Sequence, residues 1–229
     1  SVEGKSFYYN DSINKALIKD KIASYSKIIE ERVFLNYNEK SHVASIKGVD
    51  TNYLYVNRVD TAVYFGNWLN YSAKHTVVVG SAIANALSIG AYDFLESLKI
   101  FVPKPGTGYI TSPKTAFSQV NTQPIGVYRL TDDIDKKYVF ANLSLAQDLL
   151  NYKSNQVTAI EIKVKRGESV KDLQKTIQKE LGNGFKVQTR EQLNSVFYKM
   201  LNTENLVSYL VFTLILIIAL FNVIGAIVM

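Results

Sequence analysis

The chain has 229 residues, no cysteine and a formal net charge of +6. The lack of cysteine excludes disulfide bonds, thiolate nucleophiles and cysteine-ligated zinc. Its lysines and arginines are spread through the sequence without the basic block that is typical of nucleic-acid-binding proteins, so we expect no nucleic-acid partner.

A helix and a β-hairpin are predicted first along the chain. Asp11 or Ser12 can cap a helix that runs to about Ile28. Residues 33–37 and 42–49 are two β-rich runs around a short polar turn, which predicts a hairpin. The apolar residues that fall on one broad face of the predicted helix are Ile13, Leu17, Ile18 and Ile22.

The middle of the chain alternates strands with short helices. Residues 77–90 read as a strand, a turn with Ser81 as the cap, a short helix and a glycine stop. Residues 98–102 and 124–130 are predicted strands. Residues 138–152 are predicted as a strand followed by a helix.

A proline-rich stretch, residues 103–123, is predicted to be a long loop between two of these strands. Long loops are usually functional or disordered, and prolines restrict the chain. We interpret it as a candidate partner-binding loop; alternatively, it folds back and buries its apolar side chains. Its candidate residues are Pro103, Pro105, Tyr109, Ile110, Pro113 and Phe117.

The last third begins with residues 157–164, which alternate in polarity as a half-buried strand does. Ser169 and Asp172 form a capping-box-like pair before apolar residues at helical spacing. Residues 185–189 are predicted as a further strand, and an amphipathic helix is expected from Arg190 onwards.

Both ends of the chain therefore read as βαβ-like units that flank a middle section. Two such units can share one sheet with both helices on one face, so we predict an α+β fold. The predicted divisions are a first βαβ-like unit at 1–60, an inserted subdomain at 61–153, a second βαβ-like unit at 154–190, a connecting helix at 191–204 and a membrane helix at 205–229.

The run from Asn205 to Met229 carries no charge. As a helix rising about 1.5 Å per residue it is long enough for a bilayer core of about 30 Å. We predict a membrane span and expect a larger membrane protein to continue past Met229; a buried core helix is the alternative. Residues chosen to mark the span are Leu206, Phe212, Ile217, Phe221, Asn222 and Val228.

Catalytic and metal-binding patterns are not apparent. His42 and His75 stand alone, Ser81 lacks the glycines of a nucleophile elbow, and the segment 105–108 lacks the lysine of a phosphate-binding loop. The acidic residues at 132–135 lack EF-hand spacing. We therefore expect neither an enzyme nor a bound cofactor.

Three segments carry a resemblance to a known family. VVVGSAIANALSIGAYD, VTAIEIKVKRGESVKDLQKTIQKELGNGFKVQTREQLNSVFYKML and LVSYLVFTLILIIALFNVIGAIVM resemble the FtsX/MacB-like (type VII) ABC transporter permeases. The nearest branch is the lipoprotein-releasing permeases of the LolC/LolE type. These motifs indicate fold and packing more than substrate.

The resemblance implies a MacB-like periplasmic core domain, with porter-like halves at 1–60 and 154–190 around the inserted subdomain, followed by the second membrane helix. It also implies the bacterial inner membrane as location, with the soluble part in the periplasm. It implies a separate cytoplasmic ABC ATPase subunit and a second permease copy or paralogue. In the lipoprotein branch the domain helps pass a lipoprotein to a periplasmic carrier, and residues 103–123 fall where carrier-binding members have a projecting hairpin.

Several alternatives remain open at this stage. Within the family they are a MacB-type efflux permease and a permease that regulates cell-wall hydrolases. Outside it they are a singly anchored extracytoplasmic binding or adhesion domain and an anchored enzyme with an oxygen-only site. Charge counting does not fix the orientation of the span, because only one flank is present.

Overall fold

One 16-residue strand, Ile22–Tyr37, connects the parts of the fold. The computed structural model describes residues 5–90, 96–104, 117–193 and 209–219. The strands are β1 (Phe7–Tyr8), β2 (Ile22–Tyr37), β3 (Lys40–Val49), β4 (Val63–Gly66), β5 (Thr76–Gly80), β6 (Leu98–Pro103), β7 (Phe117–Tyr128), β8 (Tyr138–Asn142), β9 (Gln156–Val157) and β10 (Ala159–Val164). The helices are α1 (Asp11–Leu17), α2 (Tyr53–Val56), α3 (Ser81–Leu87), α4 (Asp132–Asp135), α5 (Leu143–Leu150), α6 (Val170–Leu181), α7 (Arg190–Leu193) and α8 (209–219).

Eight strands form one sheet in the order β10-β2-β3-β8-β5-β7-β4, with β6 joining β2 to β7. Ile28 pairs with Val49 of β3 on one edge of β2 and with Ala159 of β10 on the other. Phe34 pairs with Val43 and, on the other edge, with Phe101 of β6. Strand β2 therefore holds β10 and β6 one after the other along the same edge, so the end and the middle of the chain share a sheet.

Two apolar clusters cover the two faces of this sheet. On one face α3 and α5 pack over strand residues with no exposed surface, among them Leu35 and Ile46, and α5 contributes the equally buried Leu145. On the other face a smaller aromatic cluster surrounds Phe140 and Tyr128, whose ring centroids lie 5.1 Å apart. Helices lie beside a mixed sheet, and the predicted α+β class is confirmed.

The helices α1 and α6 pack together against the β10 end of the sheet. Their buried side chains Leu17, Leu173 and Ile177 form a third cluster with Ile22. The predicted cap at Asp11 or Ser12 is wrong, because Asn10 caps α1 and its Oδ1 accepts from the backbone N–H of Ile13 at 3.0 Å. Both helices contribute to one cluster, as expected if the two βαβ-like units place their helices on the same face.

The predicted helix from residue 11 to 28 is wrong in its second half. Helix α1 ends at Leu17, and from Ile22 the chain is strand β2. Residues 22–28 are extended because they pair with β10 along one edge of β2, and β3 joins the other edge from Ile28 onwards. Tertiary pairing has overridden a local pattern.

Several local predictions are confirmed. The strands β2 and β3 form the expected hairpin, and its turn residues Asn38 and Glu39 have φ of 43° and 66°. Strand β5 leads into α3, and Ser169 Oγ accepts from the backbone N–H of Asp172 at 3.3 Å to cap α6. Ser81 does not cap α3, however, because its hydroxyl donates to Asp135 instead.

The strand predicted at residues 185–189 is also wrong, although the backbone there is held in place. Gln178 of α6 donates through Nε2 to the carbonyl of Phe185 at 2.8 Å and accepts at Oε1 from the N–H of Val187 at 2.9 Å. Gln174 Nε2 donates to the carbonyl of Val187 at 2.8 Å. Glutamine side chains thus take the role that a neighbouring strand would have taken.

Within the described residues, no helix reaches the length and apolarity that crossing a membrane takes. Of the residues that mark the expected span, Phe212 and Ile217 lie in α8, where their side chains are 69% and 45% exposed. The others, Leu206, Phe221, Asn222 and Val228, lie outside the described residues. The described part of the expected connecting helix is α7.

Candidate partner-binding surface

The hairpin of β6 and β7 extends from the edge of β2. Its register runs from Leu98 opposite Thr122 to Pro103 opposite Phe117. The expectation of a loop across residues 103–123 is therefore corrected. Pro103 ends β6, residues 117–123 belong to β7, and the connection of the two strands at 105–116 lies outside the described residues.

One face of this hairpin belongs to the core. Ile100 and Leu98 have no exposed surface, and Val102 is 4% exposed. Thr122 Oγ1, buried beneath them, donates to the carbonyl of Leu98 at 2.9 Å. Since alternate residues of a strand point to opposite faces, the residues between them face away from this core.

The opposite face of the hairpin and its neighbours carries an apolar strip, which we call the hairpin-base face. Phe34 pairs in register with Val43 and with Phe101, and the rings of Phe34 and Phe101 lie 6.3 Å apart between centroids. Val43, Phe34 and Phe117 are 48%, 42% and 39% exposed. The hairpin-base face consists of Phe34, Val43, Phe101, Pro103 and Phe117.

A cavity of about 610 Å³ adjoins this face, and Phe34, Pro103 and Phe117 are among its lining residues. Arg32 and Lys104 also line it, and both are exposed. Neither cation lies within 4.0 Å of a carboxylate among the described residues. Glu31 lines the cavity as well and is paired with Lys5, so the surface combines apolar groups with a net positive charge.

A smaller depression of about 360 Å³ continues from Arg32 and Val43 towards Lys136 and Lys137. Lys137 Nζ donates to Tyr138 Oη at 2.6 Å and lies 3.2 Å from a carboxylate oxygen of Glu30. Partial burial opposes the charge on Lys137, but these two partners outweigh burial and raise the pKa of its ammonium. Lys137 therefore stays protonated, and it lines this depression together with Arg32 and Lys136.

Of the six predicted loop residues, the structure places Pro103 and Phe117 opposite each other at the base of the hairpin. Pro105, Tyr109, Ile110 and Pro113 lie outside the described residues. Sequence reasoning missed Phe34, Val43 and Phe101. Two of these, Phe34 and Phe101, are aromatic residues at outward positions of strands whose alternate residues are buried, which is the signal that would have found them.

The other residues considered for chemistry have structural contacts. Ser81 Oγ donates to a carboxylate oxygen of Asp135 at 2.9 Å, and the second carboxylate oxygen accepts from the N–H of Leu130 at 2.8 Å. His42 Nε2 lies 3.3 Å from the carbonyl oxygen of Lys136, and the carbonyl of His75 accepts from Gln123. These contacts join elements of the sheet and its loops.

Comparison of the sequence with known proteins gives two curated relatives, whereas no family model matches the chain. The chain is 22% identical over 209 residues to the lipoprotein-releasing system transmembrane protein LolE of Haemophilus influenzae, which covers 91% of the chain and 49% of LolE. It is 22% identical over 157 residues to LolC of Buchnera aphidicola, covering 67% of the chain and 37% of LolC. The chain thus spans less than half the length of these relatives.

Solved structures of two transporters have the same fold. The periplasmic region of MacB from Actinobacillus actinomycetemcomitans superposes with a TM-score of 0.54 at 12% identity, covering 84% of the chain and 91% of that region. The chain is similar to FtsX/MacB-like permeases, close to LolC and LolE. The extracellular domain of the ABC-type transporter YknZ from Gram-positive bacteria also superposes on this permease-like chain, with a TM-score of 0.53 at 14% identity, covering 80% of the chain and 87% of that domain.

Proposed function

We propose that the chain is the extracytoplasmic domain and second membrane helix of an ABC transporter permease that releases lipoproteins from the inner membrane to a periplasmic carrier. The observation that carries this proposal is the LolE match over 91% of the chain. The shared MacB and YknZ fold supports the assignment as a permease domain. In this role the chain performs mechanical work and no chemistry.

The partners in this proposal are a cytoplasmic ABC ATPase and a second permease, either a copy or a paralogue. The apolar run 205–229 anchors the domain in the inner membrane, with residues 5–193 in the periplasm. The exposed apolar side chains of α8 support this placement, since Tyr209, Phe212 and Leu216 are 74%, 69% and 63% exposed to solvent in the isolated chain.

The carrier docks, in this proposal, on the β6–β7 hairpin and the hairpin-base face. The face offers Phe34 and Phe117 as aromatic anchors, a residue type that is enriched at binding hot spots. Arg32 and Lys104 beside them favour an acidic partner surface and increase the association rate. The connection 105–116, with Tyr109 and Ile110, extends the same docking site.

Alanine variants test the docking site. Phe34→Ala, Tyr109→Ala, Ile110→Ala and Phe117→Ala should each weaken binding of the purified carrier by roughly tenfold, about 1.4 kcal/mol. Their thermal unfolding temperatures should stay near that of the parent protein. Tyr55→Ala is the matched control, because Tyr55 is 70% exposed and lies on α2.

The controls separate docking from folding. Equal losses of stability and binding would mean that these four side chains belong to the core, and the docking site would be abandoned. If the Tyr55 variant lost as much binding as the four test variants, the assay would not report on the hairpin.

A MacB-type efflux permease is the second candidate, because the MacB periplasmic region has the same fold with a TM-score of 0.54. The cargo distinguishes the two. We would purify the full-length protein in mild detergent and identify bound molecules by mass spectrometry. A triacylated lipoprotein supports the lipoprotein branch, whereas co-purification of an adaptor and an outer-membrane channel without lipoprotein supports efflux.

A further inference from the structure

Two loops meet at the end of the lobe formed by α1, α6 and β10. Ile22 pairs with Val164 at the ends of their strands, and the N–H of Lys165 donates to the carbonyl of Lys21 at 2.9 Å. Lys21 Nζ and Glu168 form an ion pair at 3.2 Å between the same loops. We call residues 18–21 together with 165–171 the basal surface.

The basal surface is basic. It contains five cations and two carboxylates, the latter being Asp20 and Glu168. Lys19 is paired with Glu180 and Lys21 with Glu168. The other three cations are exposed and have no carboxylate within 4.0 Å among the described residues; they are Lys165, Arg166 and Lys171.

Two large apolar side chains accompany these charges. Ile18, which follows α1, is 68% exposed, and Val170, the first residue of α6, is 49% exposed. Elsewhere in α1 and α6 the apolar residues Leu17 and Leu173 are buried. The combination of exposed aliphatic groups with unpaired lysine and arginine is typical of a surface that lies on anionic lipid.

The path of the chain leads to this same end of the lobe. After α6 the backbone turns back along the helix. The side chain of Gln178 donates to the carbonyl of Phe185, and that of Gln174, about one turn from the start of α6, donates to the carbonyl of Val187. Gln174 also donates to the side chain of Gln192 in α7 at 2.8 Å. The chain thus runs towards the start of α6 and the basal surface before it reaches the charge-free run 205–229.

We propose that the basal surface contacts anionic phospholipid headgroups of the membrane that the run 205–229 spans, so that the lobe of α1 and α6 has a fixed orientation on the bilayer. This inference rests on the proposed membrane span. Headgroup phosphates pair with Lys165, Arg166 and Lys171, and Ile18 and Val170 enter the interface between headgroups and acyl chains. Attraction of this kind acts within a Debye length of about 10 Å and is weakened by salt.

Site-specific fluorescence tests this contact in the full chain. Because the protein has no cysteine, Ile18→Cys gives a single labelling site for an environment-sensitive fluorophore. The labelled chain is incorporated into nanodiscs of phosphatidylcholine alone or with phosphatidylglycerol, each with a headgroup spin-labelled lipid as quencher. Tyr64→Cys, on the β4 edge strand and 56% exposed, is the control label.

We expect quenching at position 18 to be about twofold stronger in the phosphatidylglycerol discs and to fall to the neutral-lipid level in high salt. Lys165→Glu with Arg166→Glu should abolish the difference. Lys40→Glu with Lys99→Glu, the same charge change at exposed positions near the opposite end of β2, should leave it intact.

Equal quenching at position 18 in the two lipid compositions would overturn the proposal, as would a difference that survives the substitutions at 165 and 166. Quenching at position 64 as strong as that at position 18 would also overturn it. Failure of the chain to enter nanodiscs would instead contradict the proposed membrane span. Incorporation into nanodiscs is measured independently by size-exclusion chromatography. A failure of the lipid contact can therefore be distinguished from a failure of the membrane span.

Discussion

Gly80 lies at the junction of β5 and α3, where its Cα faces the backbone of Asp135. A Cβ at this position would lie 2.0 Å from the carbonyl oxygen and 2.7 Å from the Cα of Asp135. Its φ of −69° is accessible to any residue, so close approach and not backbone freedom requires glycine here. The neighbouring Ser81 fixes the same contact through its hydrogen bond to the Asp135 carboxylate.

Gly80→Ala is therefore expected to destabilise the fold strongly. Because the obstructing atoms belong to backbone, relief requires α4 to move, and we expect a loss of about 3 kcal/mol in the free energy of unfolding. Urea unfolding of the full chain in detergent measures this. The control is Gly184→Ala, where an added Cβ meets nothing within 4 Å; similar stability of the two variants would refute the steric argument.

The strand-to-helix junction was predicted from the sequence, but the contact with Asp135 that requires glycine there was not. VVVGSAIANAL indicated a strand, a turn and a helix, and the resemblance to the permease family rested partly on it. The partner of Gly80 and Ser81 is Asp135, which is 54 residues away from Ser81. Its acidic segment was considered in the sequence as a calcium-binding loop. Contacts of that sequence separation are set by tertiary structure and leave no local pattern.

At the scale of elements, Gln178 joins α6 to the extended segment 185–189. Its Nε2 also donates to the carbonyl of Gly182 at 2.8 Å, in addition to the contacts with Phe185 and Val187. The segment covers the apolar cluster of α1 and α6 through Phe185 and Val187. One glutamine thus positions the chain between α6 and α7.

Gln178→Ala should release this segment. Losing the partners of backbone groups that are partly buried costs about 1–3 kcal/mol, and we expect faster amide exchange at Val187 with exchange at Val33 in β2 unchanged. Hydrogen exchange followed by NMR or mass spectrometry measures both. Lys175→Ala, an exposed position on the same helix, is the control; equal acceleration in both variants would contradict the role given to Gln178.

The errors in secondary structure share one physical origin. Residues 22–28 were predicted to be helical, yet they pair with β10 and belong to β2. Residues 185–189 have the composition of a strand, yet glutamine side chains satisfy their backbone. The Ser169 cap and the β2–β3 hairpin, whose partners are near in sequence, were predicted correctly. The caps predicted at Asp11 or Ser12 and at Ser81 were wrong, because Asn10 and Gly80 occupy those positions.

At the scale of the whole molecule, the aromatic cluster around Phe140 and Tyr128 makes the stability of the fold sensitive to pH in the alkaline range. Burial raises the pKa of Tyr53, Tyr128 and Tyr138, and the negative charges of Glu161, Asp135 and Glu30, respectively, add to this. The folded state therefore favours the protonated phenols. Their contribution to stability is complete below the ordinary tyrosine pKa of about 10 and is lost as the pH rises above it.

We expect the urea midpoint to be constant between pH 7 and 9 and to fall steeply above about pH 10. Tyr53→Phe should reduce the steepness, because one buried phenol no longer ionises on unfolding. Tyr55→Phe, at a position 70% exposed, should not. An identical pH dependence in parent and Tyr53 variant would contradict the assignment of the effect to burial.

The α+β class and the shared face of α1 and α6 were predictable from the sequence, since both follow from periodicity and chain order. The hairpin-base face was not, because it forms only when β6 pairs with β2, placing Phe101 beside Phe34 across a separation of 67 residues. Proline content led us to predict a partner-binding loop at residues 103–123, whereas the apolar strip beside it depends on strand register.

The central claim is that the chain works as a permease domain driven by a separate ATPase. The most direct test is to purify the full-length protein from its native membrane in mild detergent and to determine its partners and their ratio by mass spectrometry. We predict an ABC ATPase subunit in stoichiometric amount, with ATP hydrolysis in the purified complex. A protein that purifies alone with a single membrane anchor and no ATPase would contradict the claim and indicate an anchored binding domain.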